Sequence, residues 1–137
     1  MAKSEDKVRK ASTAKSRKPG RLPADISTAV QAALDKKAQE ALVLDLRHTP
    51  AFTDFFVLCS GQNTRQVQAI ADAVDAALRQ HGLRPALTEG YERGHWVLID
   101  YFDFIVHIFA PETRRFYSLE RLWGNAERLE LAAHAAD

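Results

Sequence analysis

Residues 88–123, TEGYERGHWVLIDYFDFIVHIFAPETRRFYSLERLW, decide the fold of this chain. Trp96 to Ile99 is one compact apolar run and Phe104 to Phe109 is another. Between them lies Asp100-Tyr101-Phe102-Asp103, so the two runs read as antiparallel strands of a tight hairpin with an aspartate on each side. Such a turn usually carries Asn-Gly or a similar pair, because its central residues take positive φ at little cost only when they are small. A bulky Phe102 there requires either another turn type or a strained, exposed side chain. After the second run, Pro111 opens a helical or turn segment that reaches Trp123.

Working outward, Leu83 to Thr88 reads as an edge strand and Gly82 as the stop of a preceding helix. That helix has Asn63 placed to accept from first-turn N–H groups, with Gln66 three residues on, as in a capping box. Val67, Ile70, Ala71, Val74 and Leu78 form its apolar stripe, and Arg65, Asp72, Asp75 and Arg79 lie off it. Phe55 to Ser60 is short and apolar throughout, as expected for a strand covered on both faces. Ala41 to Leu46 is another apolar run of strand length, and residues 47–54 with Pro50 form a loop. Residues 23–37 open the body as a helix, with Asp25 or Ser27 as its cap and Ile26, Val30, Ala33 and Leu34 at helical spacing. Asn125 to Ala136, rich in alanine, is expected to be a short helix or a flexible tail. The order α-β-β-α-β-β-β-α predicts an α/β fold, a single-domain mixed β-sheet with flanking helices.

Composition narrows the class. The chain has 137 residues, 46% apolar and 27% charged, as in an ordinary globular protein of one domain. One cysteine, Cys59, permits no internal disulfide and fits a reducing compartment. No apolar run approaches the ~20 residues that span a membrane. The net charge of +1 hides a split. Residues 1–22 hold eight Lys or Arg against two acids, whereas residues 23–137 hold eleven against sixteen. The first segment has too few large apolar side chains to offset ordering entropy, so it reads as a disordered basic arm. Its Lys10, Lys15, Arg17 and Lys18 suit RNA phosphates, while the acidic body suits a basic protein partner. A solubilising leader and a transit peptide are the other readings of the arm, Glu5, Asp6 and the lysine excess speaking against the latter.

The aspartates bear on catalysis. Nucleotidyl transfer needs paired carboxylates converging on Mg²⁺, and no Asp-x-Asp occurs in the chain. Ser60-Gly61 before a helix can cradle a phosphate, but no GxGxxG or GxxxxGK[ST] accompanies it, and a turn with a helix cap explains it. His95, His107, Asp100 and Asp103 have no metal-ligand spacing. His107 alternates with Asp103 along a strand and is placed to pair with it. Cys59 in an apolar strand reads as a buried, inert thiol, with a pairing to His107 left open. No catalytic residue, metal or cofactor is expected. Trp96 and Asp100 share a strand face with Leu98 between them, an aromatic anchor rimmed by acid that fits a basic partner.

The ordered motifs WVLID-Tyr-x-Asp at 96–103, VHIF at 106–109 and PETRRFYSLERLW at 111–123 resemble the ribosomal silencing factor (Iojap-like) family. Upstream, TDFFVLCSG at 53–61 resembles the family's TDYFVICSG, and NTRQVQAIAD at 63–72 its following helix. The similarity runs from about Ile26 to Trp123, within a domain spanning 23–123 between the arm at 1–22 and the tail at 124–137. The family usually has glycine where this chain has Phe102. The resemblance implies a nucleotidyltransferase-like fold without the catalytic carboxylate pair, and a non-enzymatic cytoplasmic protein that represses translation. It would bind the large ribosomal subunit through ribosomal protein number fourteen and block joining of the small subunit. It also implies homodimers. Carried onto this sequence, the partner-binding residues are Trp96, Asp100 and Asp103, joined by Glu89, Leu119, Glu120 and Trp123. The alternatives are a nucleotidyltransferase-like enzyme with an atypical site using Asp100 and Asp103, and a homodimeric interaction module without a ribosomal role.

Overall fold

The computed structural model describes residues 22–130. In chain order the elements are α1 (Ala24–Asp35), β1 (Gln39–Asp45), β2 (Phe55–Ser60), α2 (Thr64–Gln80), β3 (Leu87–Glu89), β4 (Trp96–Asp100), β5 (Phe104–Phe109), α3 (Pro111–Tyr117), α4 (Leu119–Leu122) and β6 (Glu127–Glu130). Six strands form one mixed sheet in the order β3-β4-β5-β2-β1-β6. Only β2 and β5 run parallel; every other pair is antiparallel. A parallel pair needs a long crossover, and α2 supplies its helical part.

The hairpin forms where its apolar runs place it, with Trp96 opposite Phe109 and Asp100 opposite Ile105. Its tip is a γ-turn centred on Phe102. Asp103 N donates to Tyr101 O at 2.8 Å across a residue with φ +72°, and Phe102 is 74% exposed. Phe102 therefore sits in the left-handed region and leaves its ring in solvent. Asp100 Oδ1 accepts from Phe102 N at 2.8 Å, and Thr53 Oγ1 donates to Phe102 O at 2.9 Å. Those bonds hold a backbone conformation that phenylalanine alone would avoid.

Both helices α1 and α2 cover one face of the sheet. Ile26, Ala29, Val30 and Ala33 meet Val67, Ile70, Val74 and Leu78 above Val57, Val97, Ile99, Val106 and Ile108. The cap of α2 is as expected: Asn63 Oδ1 accepts from Gln66 N at 2.9 Å, and Gln66 Oε1 accepts from Gln62 N at 2.6 Å. The cap of α1 is not. Neither Asp25 nor Ser27 caps it; Pro23 occupies the N-cap, and its carbonyl accepts from Ile26 N and Ser27 N. Proline's fixed φ prepares the first turn without a side-chain acceptor.

The expected edge strand is shorter than its sequence signal and begins at Leu87. The expected helix after Asn125 is corrected in part: Glu127–Glu130 is a strand on the outer edge of β1, with Val43 opposite Leu129. The β1 edge is a stronger determinant than the helix preference of Glu, Arg and Leu and of the alanines around them, because each ladder bond satisfies a backbone group. Residues 131–137 of the tail and 1–21 of the arm, with Lys10, Lys15, Arg17 and Lys18, lie outside the described residues.

Candidate partner-binding face

Among the described residues, no long helix lies on the other face of the sheet. Period-two alternation along β4 buries Val97 and Ile99 beneath the helices and turns Trp96, Leu98 and Asp100 the other way, each only partly buried. Register then fixes their neighbours. Trp96 lies beside Phe109, Leu98 beside His107 and Asp100 beside Ile105. On the outer side, Glu89 of β3 faces Leu98 and Leu87 faces Asp100. Glu89 is exposed, and Leu87 is 46% exposed.

A second, smaller core of Leu42, Leu44, Leu46, Phe56, Leu58, Phe109 and Ala126 underlies this face, with Trp96, Ile105, Leu119 and Trp123 packed at its margin. Aromatic rings dominate the margin. The Trp96 ring lies 5.0 Å from Phe109 and 4.8 Å from Tyr117, and Trp123 meets Phe56 edge-on at 6.1 Å. The short helices cover only part of it. Phe116, Leu122 and Tyr117 are 80%, 70% and 50% exposed.

His107 does not pair with Asp103. Its Nδ1 accepts from Trp96 Nε1 at 3.0 Å, which places the remaining proton of the neutral ring on Nε2. Burial pushes its pKa down to about 4, so the ring is neutral at physiological pH. Strand alternation was right about the face; what it missed is that an indole N–H on the next strand is nearer than a carboxylate in the turn. Cys59 is buried on the helical side, and burial pushes its thiol up to about 12, leaving it protonated and unreactive at neutral pH.

Arg114 was not legible as a functional residue. It is 5% exposed, yet its Nη1 donates to Ser60 Oγ at 3.0 Å and its Nε to Glu120 Oε2 at 3.1 Å. This clamp ties α3 to the end of β2 and holds α4 across Ser118, whose φ of +44° turns the chain between the two helices. Glu120 is thus the counter-ion of a buried guanidinium, not a free acid on the rim.

The predicted site residues therefore separate. Trp96, Asp100 and Glu89 share the open face, and Leu119 and Trp123 border it. Asp103 does not join Trp96. It lines a cavity of about 300 Å³ with Pro23, Asp25, Ile26, Arg47, Asp54, Phe55 and Phe104, beyond the far end of the hairpin. Trp96 and Asp100 are themselves about 13 Å apart, from a strand rise near 3.3 Å per residue. Sequence reading missed Phe116; adjacent aromatics on so short a helix cannot both face the sheet, which was the available signal.

Asp100 and Asp103 also lie toward the opposite end of β5 from Ser60-Gly61 and the start of α2, about 13 Å and about 20 Å along the strand. They cannot act together on a phosphate held there. Among the described residues there is no group of three or more His, Cys, Asp or Glu able to hold a metal ion, and no helix long and apolar enough to cross a membrane.

Residues 19–137 match the family model described as ribosomal silencing factor during starvation. A protein of Halalkalibacterium halodurans named ribosomal silencing factor RsfS is 41% identical over 106 residues, 77% of this chain and 91% of that protein. Its Bacillus subtilis namesake is 36% identical over 106 residues, 77% of this chain and 90% of that protein. The crystal structure of a Chromobacterium violaceum protein superposes with a TM-score of 0.71 at 33% identity, over 73% of this chain and 83% of that one.

Proposed function

The chain belongs to the ribosomal silencing factor family, and from that premise we propose that it docks on the large ribosomal subunit and sterically blocks joining of the small subunit, repressing translation. The contact on the subunit is ribosomal protein number fourteen. No bond is made or broken; the folded body occupies a surface the small subunit must approach, and the protein acts in the cytoplasm without a cofactor.

One observation carries this reading: the half-covered sheet face, where partly buried Trp96 and Leu98 continue through Tyr117, 4.8 Å from the Trp96 ring, to exposed Phe116. Contiguous apolar surface with an aromatic centre and acidic residues at the edge, here Glu89 and Asp100, is the composition of a protein-binding site for a basic partner. The pairing of Trp96 with His107 fixes the indole in one orientation before any partner arrives, so less ordering entropy opposes docking. Asp103 and Glu120 play no direct part in this contact.

A homodimer through the same face would compete with the ribosome, since both would cover the same apolar strip. The test is a pull-down of purified ribosomal protein number fourteen by the full chain and by Trp96→Ala, with light scattering of both variants. Loss of capture by Trp96→Ala at a temperature where both proteins are fully folded supports the reading. Undiminished capture removes the face from it.

A further inference from the structure

A second surface stands apart from the aromatic face. At the end of the sheet where β1 begins and β2 ends, Lys36, Lys37, Gln39, Gln62, Asn63, Arg65, Gln66 and Ala69 line an open groove of about 540 Å³. Three of the eleven basic residues that follow the arm meet here, including the only two lysines beyond Lys18. Among the described residues, no carboxylate lines the groove. Lys36, Lys37 and Arg65 are exposed, and none is in an ion pair among the described residues. Three other arginines of the body are engaged: Arg47 with Asp45, Arg79 with Asp75 and Arg114 with Glu120.

The groove is built rather than incidental. Gln66 Nε2 donates to the carbonyls of Lys36 and Lys37, each at 3.1 Å, while its Oε1 accepts from Gln62 N. One side chain of α2 thus pins the α1–β1 turn and occupies its two carbonyl acceptors. Asn63 Oδ1 is likewise occupied by Gln66 N. Lys37 holds φ +65°, a conformation that favours glycine, and a lysine kept there projects a cation beside the first turn of α2. The nearest carboxylate along α1, Asp35, accepts from Gln31 and does not line the groove.

We propose that this groove binds the phosphate backbone of RNA. A body that carries sixteen acidic residues against eleven basic ones is repelled by a polyanion everywhere except where cations gather without counter-ions. The groove and Trp96 lie at the same end of the sheet, since Gln39 pairs with Ser60, Ser60 with Phe109 and Phe109 with Trp96. Three inter-strand steps separate β1 from β4, about 14 Å. An RNA strand in the groove and a protein on the aromatic face can therefore be held at once, which suits a surface built of both. The inference deepens the proposed ribosomal role, but its test does not depend on it.

The experiment is fluorescence anisotropy of a labelled twelve-nucleotide oligouridylate with the full chain, titrated from 50 to 300 mM salt. The variants are Lys36→Gln/Lys37→Gln/Arg65→Gln and the charge-preserving Lys36→Arg/Lys37→Arg/Arg65→Lys. Each variant keeps residues 1–21, so any contribution of the arm is common to all. The neutral variant is expected to bind about tenfold more weakly at 0.1 M salt and to lose about 2 from the slope of log K against log salt, three contacts at about 0.7 each. The charge-preserving variant is expected to bind as wild type does, which also controls for folding at Lys37. An unchanged slope in the neutral variant overturns the proposal. So does an unaltered RNA affinity accompanied by loss of pyrophosphate binding, which would make the groove a small-anion site. Either failure leaves the Trp96 face untouched, because capture of the protein partner is measured separately.

Discussion

Trp96 donates its indole N–H to Nδ1 of His107 at 3.0 Å, across the hairpin and two residues out of register. The tryptophan at the centre of the proposed docking face is therefore held from below by a buried, neutral histidine. Trp96→Phe keeps most of the ring contact but leaves the buried Nδ1 without its donor, and should cost about 1–3 kcal/mol of stability. Urea denaturation reads this directly, and Trp96→Phe is expected to retain more partner affinity than Trp96→Ala.

The same pair makes stability depend on pH. The folded pKa of His107 is about 4 against an ordinary 6.5, so the unfolded chain binds more protons between those values and stability falls as pH drops through that window. The loss is complete near pH 4, amounts to about 3 kcal/mol at 1.36 kcal/mol per pH unit, and is absent above pH 6.5. His107→Gln, which keeps an acceptor for the indole, should lack this component. Burial works against ionisation of Asp45, but hydrogen bonds from Arg47 hold its pKa below the ordinary value, adding an acid-side loss common to both proteins. Denaturant midpoints at pH 7 and pH 4.5, compared between wild type and variant, isolate the histidine.

Phe102→Gly should stabilise the protein. A non-glycine residue at φ +72° costs about 1–2 kcal/mol, and glycine's extra freedom in the unfolded chain returns about 0.5–1. The expected net gain is about 1 kcal/mol, a rise of several degrees in melting temperature. Because the ring is exposed at the hairpin tip, no core contact is lost. A lower melting temperature would show that the ring is packed in the folded protein.

Glu120→Ala leaves the Arg114 guanidinium buried beside Ser60 without its carboxylate, and should destabilise by about 3 kcal/mol. Arg114→Met, which removes the charge and keeps the apolar stem, should cost less. Any effect of Glu120→Ala on partner capture should vanish where both proteins are fully folded, because Glu120 holds α4 rather than touching the partner. Capture at low temperature, set beside the denaturation curves, separates the two.

The parts of this fold that local chemistry decides were legible. Apolar runs placed β2, β4 and β5, and Asn63 with Gln66 marked the start of α2. Period two put Trp96, Leu98 and Asp100 on one face. What depended on distant pairing was not legible. Asp103 sits in a turn tied to Thr53 and Asp54, some fifty residues earlier, and that tie carries it away from Trp96. Glu120 looked like a surface acid because Arg114, on the other side of the Ser118 turn, has no local signature as a buried residue. β6 was read as helix or tail because alanine favours helix, and only the open edge of β1 explains the strand. The basic groove was invisible because Gln66 closes it from thirty residues away.

Sedimentation of separated ribosomal subunits under joining conditions, with wild type or Leu122→Ser/Phe116→Ser, tests the central claim most directly. Both residues are exposed, so the double variant should fold within about 0.5 kcal/mol of wild type. The account predicts that wild type travels with the large subunit and lowers the joined peak. It predicts that the variant does both at least tenfold less well. Equal co-sedimentation and equal loss of the joined peak by the variant would contradict docking through this face, and wild type remaining at the top of the gradient with normal joining would contradict the ribosomal role itself.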